Sequence, residues 1–210
     1  MVALRICTAR VYFIQLTDSK RVAQGRPTSE GPHSMIFGST VALGPILPVD
    51  MASLFKWSDD VEDARLNEPY RPLNWHRQEA YWMNAEADPS RIFFAIRARS
   101  APEILGYVQL RDIHPVHRSA QIGLRIGEAA HRGQGKGGEA LHLAIRYCWD
   151  HLNLTRLALT VFARNERAIA LYRAAGFREE GQMERALFID GHWVDLVMMA
   201  LVHPLRVQAR

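Results

Sequence analysis

Apolar positions along the chain become regular from Ser39 onward, and they switch between the strand and helix periods. Val41 to Leu47 reads as a short strand, after which Pro48 and Asp50 open a helix carrying Leu54, Phe55 and Trp57. A polar, acidic run, Ser58-Asp59-Asp60-Val61-Glu62-Asp63, follows. Asn74 has the side chain of an N-cap, and a helix from there to about Asn84 has Trp75, Tyr81 and Trp82 as its apolar content. Arg91–Arg97 and Ile104–Leu110 are strand-like, and His114-Pro115-Val116-His117 breaks them from a third strand, Ala120–Ile126. Their short links predict antiparallel pairing. Leu141, Ala144, Ile145 and Cys148 then fall at i, i+3, i+4 and i+7, one helix face. Arg156 to Phe162 alternates Leu157, Leu159 and Val161 as a strand does. Asn165 caps a further helix with Ala168, Leu171, Tyr172 and Ala175 on one face, and Gly176 is placed to stop it.

The first 34 residues show neither period, and Gln24 to His33 is rich in Gly, Pro, Ser and Thr. This stretch reads as a disordered extension or as residues ahead of a true start at Met35. Its acid-poor, Arg-containing beginning weakly resembles a transit peptide, and Val11 to Leu16 is too short for a signal-peptide core. The expected organisation is a poorly structured extension over 1–38, one domain over 39–203 and a tail over 204–210.

Composition narrows the function classes. The 210 residues are 48% hydrophobic and 23% charged, ordinary for a globular domain with a sizeable core. Of the net charge of +4, a surplus of three (five basic residues less two acidic) lies in residues 1–40, so no dedicated nucleic-acid surface is expected. No apolar run approaches the roughly 20 residues of a membrane-spanning helix. Cys7 and Cys148 make no disulfide framework, which points to a reducing cytoplasm.

Chemistry concentrates at Arg132-Gly133-Gln134-Gly135-Lys136-Gly137-Gly138, between the Ala120–Ile126 strand and the Leu141 helix. Glycines let the backbone approach a ligand, and the N–H groups at a helix start favour an anion. Gly133, Gly135 and Gly138 match G-x-G-x-x-G, but the preceding strands read as antiparallel and no acid follows a second strand, so a dinucleotide fold is rejected. The G-K-[ST] ending of a phosphate loop is absent, because Gly137 follows Lys136. A merely structural turn does not require four glycines in six residues, so a pyrophosphate cradle is the favoured reading.

This loop resembles the Arg/Gln-x-x-Gly-x-Gly/Ala signature of the GNAT superfamily of N-acetyltransferases. The segment Asn165-Glu-Arg-Ala168-Ile-Ala-Leu171-Tyr172-Arg-Ala-Ala-Gly176-Phe177 is similar to that family's second motif, and Glu180 to Asp195 is similar to its ribosomal-protein and spermidine branches. The likeness spans roughly residues 39–202. It implies an α+β fold: a mixed, mostly antiparallel sheet of six or seven strands flanked by helices, with two strands splayed around coenzyme A. It also implies acetyl transfer from acetyl-CoA, without a metal, to a small amine or a protein N-terminus, by a monomer or homodimer. Ile126, Arg132, Gly133, Gln134, Gly135, Lys136, Gly137, Gly138 and Asn165 would hold the coenzyme, and Tyr172 would protonate its departing thiolate.

Each role keeps a rival. Tyr172 could be a core tyrosine, Asn165 a plain N-cap, and Cys148, on an apolar helix face, is an inert thiol. Many relatives carry a glutamate where this chain has Gln121, which leaves the general base unassigned; His114, His117 and Glu128 are the neighbouring candidates. An oxyanion N–H is expected from a bulged strand within Leu124–Ile126. The acidic run at Asp59, Asp60, Glu62 and Asp63 is either an exposed loop or an attractor for a cationic amine. A non-catalytic acetyl-CoA-binding module is the alternative function.

Overall fold

Period-two alternation and helical stripes sort the chain into strands and helices as follows. The computed structural model describes residues 35–64, 70–84 and 87–204; the expectations for residues 1–34 and 205–210 lie outside the described residues. The strands are β1 (Ile36–Phe37), β2 (Val41–Gly44), β3 (Ile92–Ala98), β4 (Ile104–His114), β5 (Ser119–Ile126), β6 (Arg156–Phe162), β7 (Arg178–Ile189) and β8 (His192–Val202). The helices are α1 (Met51–Ser58), α2 (Val61–Ala64), α3 (Trp75–Met83), α4 (Lys136–Asp150) and α5 (Glu166–Ala174). All eight strands form one sheet in the order β1-β2-β3-β4-β5-β6-β8-β7. Every neighbouring pair is antiparallel except β5 and β6, which α4 connects as a crossover. This is the mixed, mostly antiparallel α+β sheet expected, with eight strands in place of six or seven.

The differences have local causes. β1 lies in the stretch set aside as unstructured, and pairs Ile36 with Leu43 and Phe37 with Ala42. β2 ends at Gly44, short of Leu47, because Pro45 has no N–H to extend the ladder.

Consecutive residues of a strand face opposite ways, so the sheet can bury apolar residues on both faces, and three clusters are seen, a small one being Phe162, Ile189 and Val194. Ile96 joins the main cluster, with α4 residues Leu141, Ala144 and Cys148 and α5 residues Ile169 and Tyr172. Ala95 joins a second, with Leu54 and Trp57 of α1 and Trp82 of α3. Asn74 caps α3, its side chain accepting from the Arg77 N–H at 3.1 Å.

A buried ion pair ties α1 to the sheet. Arg97 and Asp50 are 4% and 3% exposed, and the guanidinium donates to both carboxylate oxygens at 3.0 and 2.6 Å. Arg97 also donates to the Pro102 carbonyl, and Asp50 accepts from the Leu47 N–H. With these bonds satisfied the pair is tolerable, whereas removing one partner of such a pair costs about 3–5 kcal/mol.

Candidate active site

β5 and β6 pair for three residues, Ser119 with Arg156, Ala120 with Leu157 and Gln121 with Ala158. Both strands continue, to Ile126 and Phe162, without pairing further. The wedge between them opens onto the glycine loop as a cleft of about 390 Å³. Leu124, Arg125 and Ile126 of β5 form one wall, and Asn165, Arg167, Ala168 and Leu171 the other. His131, Arg132, Gly133, Gly135, Gly137 and Gly138 close its end.

The loop's conformation explains its glycines. Gly133 and Gly135 have φ of 80° and 76°, a left-handed region that a side chain resists, and Gly135 is the N-cap of α4. The first-turn N–H groups of α4 have no partner within the helix, and they sit where Gly137 and Gly138 meet the cleft. Loop geometry and helix start together make the end of the cleft suited to an anion.

The polar side chains of the loop are largely spent on its shape. Arg132 Nε donates to the Ile126 carbonyl at 3.1 Å and its Nη2 to the Gly127 carbonyl at 2.6 Å. Gln134 turns back to the Ala130 carbonyl at 2.7 Å. Of the nine residues expected around the coenzyme, Ile126, Arg132, Gly133, Gly135, Gly137, Gly138 and Asn165 meet in the cleft. Gln134 and Lys136 are outside its wall. Asn165 acts as a cap, its side chain accepting from the Ala168 N–H at 3.1 Å.

Tyr172 is 7% exposed and packs edge-on against Phe177, with ring centroids 5.6 Å apart. Burial pushes its pKa up to about 12, and a hydrogen bond from the backbone of Leu124 pulls the other way. A contact that lowers a phenol's pKa stabilises the phenolate, so the Leu124 N–H is its donor. The hydroxyl therefore touches the β5 edge that bounds the cleft. The bulge expected within Leu124–Ile126 is absent, since β4 and β5 stay in register from Gly106–Ile126 to Arg111–Gln121. The splay arises instead where β5 and β6 cease to pair.

The base candidates are elsewhere engaged. His114 and His117 stack at 4.0 Å in the β4–β5 turn. From Ser119, beside that turn, to Leu124 is five residues, or about 17 Å of strand. Lys56 and the Trp57 indole hydrogen-bond to Glu128, at 2.8 and 3.1 Å, and hold its carboxyl below the usual range. Cys148 is buried, its pKa pushed up to about 12 by desolvation, as an inert thiol should be. In the acidic run, Asp59 accepts from the Tyr70 hydroxyl at 3.1 Å and Asp60 from the Glu62 N–H at 2.9 Å.

Sequence reasoning missed Arg125, His131 and Arg167 in the cleft wall. Arg167 stands inside the second motif, two residues past Asn165, and that proximity was the available signal. It also missed Trp57, which packs so closely on Gly127 that a Cβ there would sit 1.9 Å from the indole.

Residues 41–178 match the family model for the acetyltransferase (GNAT) domain. The chain belongs to the GNAT acetyltransferase family. As a member it is an acetyl-CoA-dependent N-acetyltransferase, acting on an amine. It is 30% identical over 135 residues to the spermidine N(1)-acetyltransferase of Vibrio cholerae, covering 64% of this chain and 76% of that one. It is 29% identical over 136 residues to the ribosomal protein uS5-alanine N-acetyltransferase of Escherichia coli, covering 63% and 69%. The crystal structure of the Vibrio cholerae spermidine N-acetyltransferase with CoA and spermine superposes with a TM-score of 0.72 at 25% identity, over 79% of this chain and 97% of that one. No helix among the described residues is long and apolar enough to cross a membrane.

Proposed function

We propose that this GNAT enzyme acetylates a cationic primary amine of the polyamine class by direct transfer, with acetyl-CoA held in the β5–β6 cleft. The observation that carries this reading is the wedge itself, a glycine-rich helix start at the end of a gap between two splayed strands. The amine nitrogen attacks the acetyl carbonyl, the carbon–sulfur bond breaks, nitrogen loses one proton and sulfur takes one. A buried, inert Cys148 supports direct attack over a covalent acetyl-cysteine. The backbone N–H of Ile126, which lines the cleft, is the candidate to receive the carbonyl oxygen, because the Leu124 backbone is turned to Tyr172. Tyr172 supplies a hydroxyl proton toward the leaving sulfur.

The exposed carboxylates of Asp59, Asp60 and Glu62 follow α1, and α1 touches the start of the coenzyme loop through Trp57 and Glu128. Their charge supports a polycationic acceptor over a neutral one. The free, buried thiol of Cys148 supports a reducing cytoplasmic setting. Free-thiol release, followed across spermidine, spermine, simple diamines and peptides with free N-termini, tests the reading. Turnover of the peptides alone would reassign the acceptor to a protein N-terminus. Acetyl-CoA binding without turnover of any amine would favour the non-catalytic module, for which Gln121 in place of a carboxylate is the supporting observation.

A further inference from the structure

Three side chains were candidates to meet the coenzyme's phosphates from the loop, and the fold engages or displaces each of them. Arg132 holds the Ile126 and Gly127 carbonyls, Gln134 holds the Ala130 carbonyl, and Lys136 is outside the cleft wall. Residues 132–138 are left to meet an anion chiefly through backbone N–H groups, while coenzyme A carries a pyrophosphate and a 3′-phosphate. Arg167, on the opposite wall, changes this balance. It is exposed, lines the cleft, and makes no hydrogen bond or ion pair with any described residue. Its Nη2 lies 3.4 Å from the point where a side chain at Gly133 would begin, so the guanidinium sits beside the bare loop backbone.

The position of Arg167 is also electrostatically awkward. Asn165 caps α5 and Glu166 begins it, so Arg167 puts a cation in the first turn, where the helix dipole favours an anion. A partner on the cleft side would offset that, and a phosphate oxygen matches the guanidinium fork.

We propose that Arg167 is the side chain that binds a phosphate of coenzyme A, and that Arg132 is a structural brace of the loop. This rests on the reading of the cleft as the coenzyme site and adds which cation that site uses. The glycine loop and the α5 start then grip one anion from two sides, across the wedge.

Titrating the full chain calorimetrically with CoA and with 3′-dephospho-CoA, at two salt concentrations, tests the assignment. Arg167→Gln should weaken CoA binding about tenfold or more and flatten its salt dependence, and Arg167→Lys should recover part of the loss. A loss of the same size with 3′-dephospho-CoA identifies the pyrophosphate as the contact. A native chain that binds 3′-dephospho-CoA more weakly than CoA, with no further loss in Arg167→Gln, identifies the 3′-phosphate. Native affinity for CoA in Arg167→Gln, with Gly135→Val still deficient, overturns this assignment and leaves the cleft reading standing. Failure of the native chain to bind CoA overturns both.

Discussion

Tyr172→Phe deletes one oxygen from the interior, and the surroundings of that oxygen set the size of the effect. The phenol has a pKa of about 12, raised by burial, against about 8.5 for a free thiol. Complete proton transfer to a coenzyme thiolate is therefore uphill by about 3.5 units, or roughly 5 kcal/mol. A hydrogen bond to the developing negative charge on sulfur asks for less, and such bonds contribute about 1.5–3 kcal/mol. Because the Leu124 N–H donates to the hydroxyl, the hydroxyl's own proton is available for that bond. Turnover should accordingly fall about ten- to a hundredfold. Affinity for acetyl-CoA should hold within about twofold, since the contact forms as the thiolate does. Loss of the acceptor for the Leu124 N–H should lower stability by about 1 kcal/mol. Thiol release at saturating substrates, calorimetric titration and thermal unfolding on one preparation measure all three. Native turnover in the variant would refute the reasoning and leave Tyr172 a packing residue. Normal turnover with weakened binding would make it a coenzyme contact.

Gly135→Val should eliminate measurable acetyl-CoA binding, because valine resists a φ of 76° at the N-cap of α4. Circular dichroism should remain native, since no atom lies within 4 Å of the new Cβ; unchanged affinity would remove the cradle. Partial burial pushes the Glu139 pKa up, but hydrogen bonds from Thr40 and Ser39 outweigh it and hold the carboxyl at about 2, below its usual 4.5. That depressed value makes its stabilisation full above about pH 4.5 and lost as pH falls toward 2, so Glu139→Gln should lower Tm at pH 7 and flatten the native Tm decline below pH 4.5. A chain starting at Met35 should fold and bind coenzyme like the full chain, whereas one starting at Ser39 loses β1 and should melt lower. Insolubility of the Met35 chain would show that residues 1–34 support the fold.

Legibility in the sequence followed how much each feature depends on its own segment. β6 was readable to the residue, because Leu157, Leu159 and Val161 all face one core and alternate accordingly. The α3 and α5 starts were readable because Asn74 and Asn165 cap their own helices. β7 offered little, since it is a sheet edge whose first eight residues are exposed, so neither face has to be apolar. The Arg97–Asp50 pair was invisible because its partners lie 47 positions apart, and nothing in either segment calls for a buried charge. At the candidate site, the glycine loop was legible because its backbone demands glycine. Whether Arg132 faces a ligand or braces the loop was not, because that depends on where the Ile126 carbonyl turns once β5 leaves β6.

The early end of the β5–β6 ladder has one more consequence. Sheets expose unpaired N–H and C=O groups at their borders, where another polypeptide can add itself as a strand. Here part of such a border lies in the middle of the sheet, with helices of the same core packed beside it. An intruding peptide would bring side chains on alternate faces, and α4 and α5 crowd one of those faces. A slender chain with amide groups and no side chains meets no such obstacle. Such a gap would act as a sieve, giving a small molecule access to strand-edge hydrogen bonding while keeping those groups from self-association.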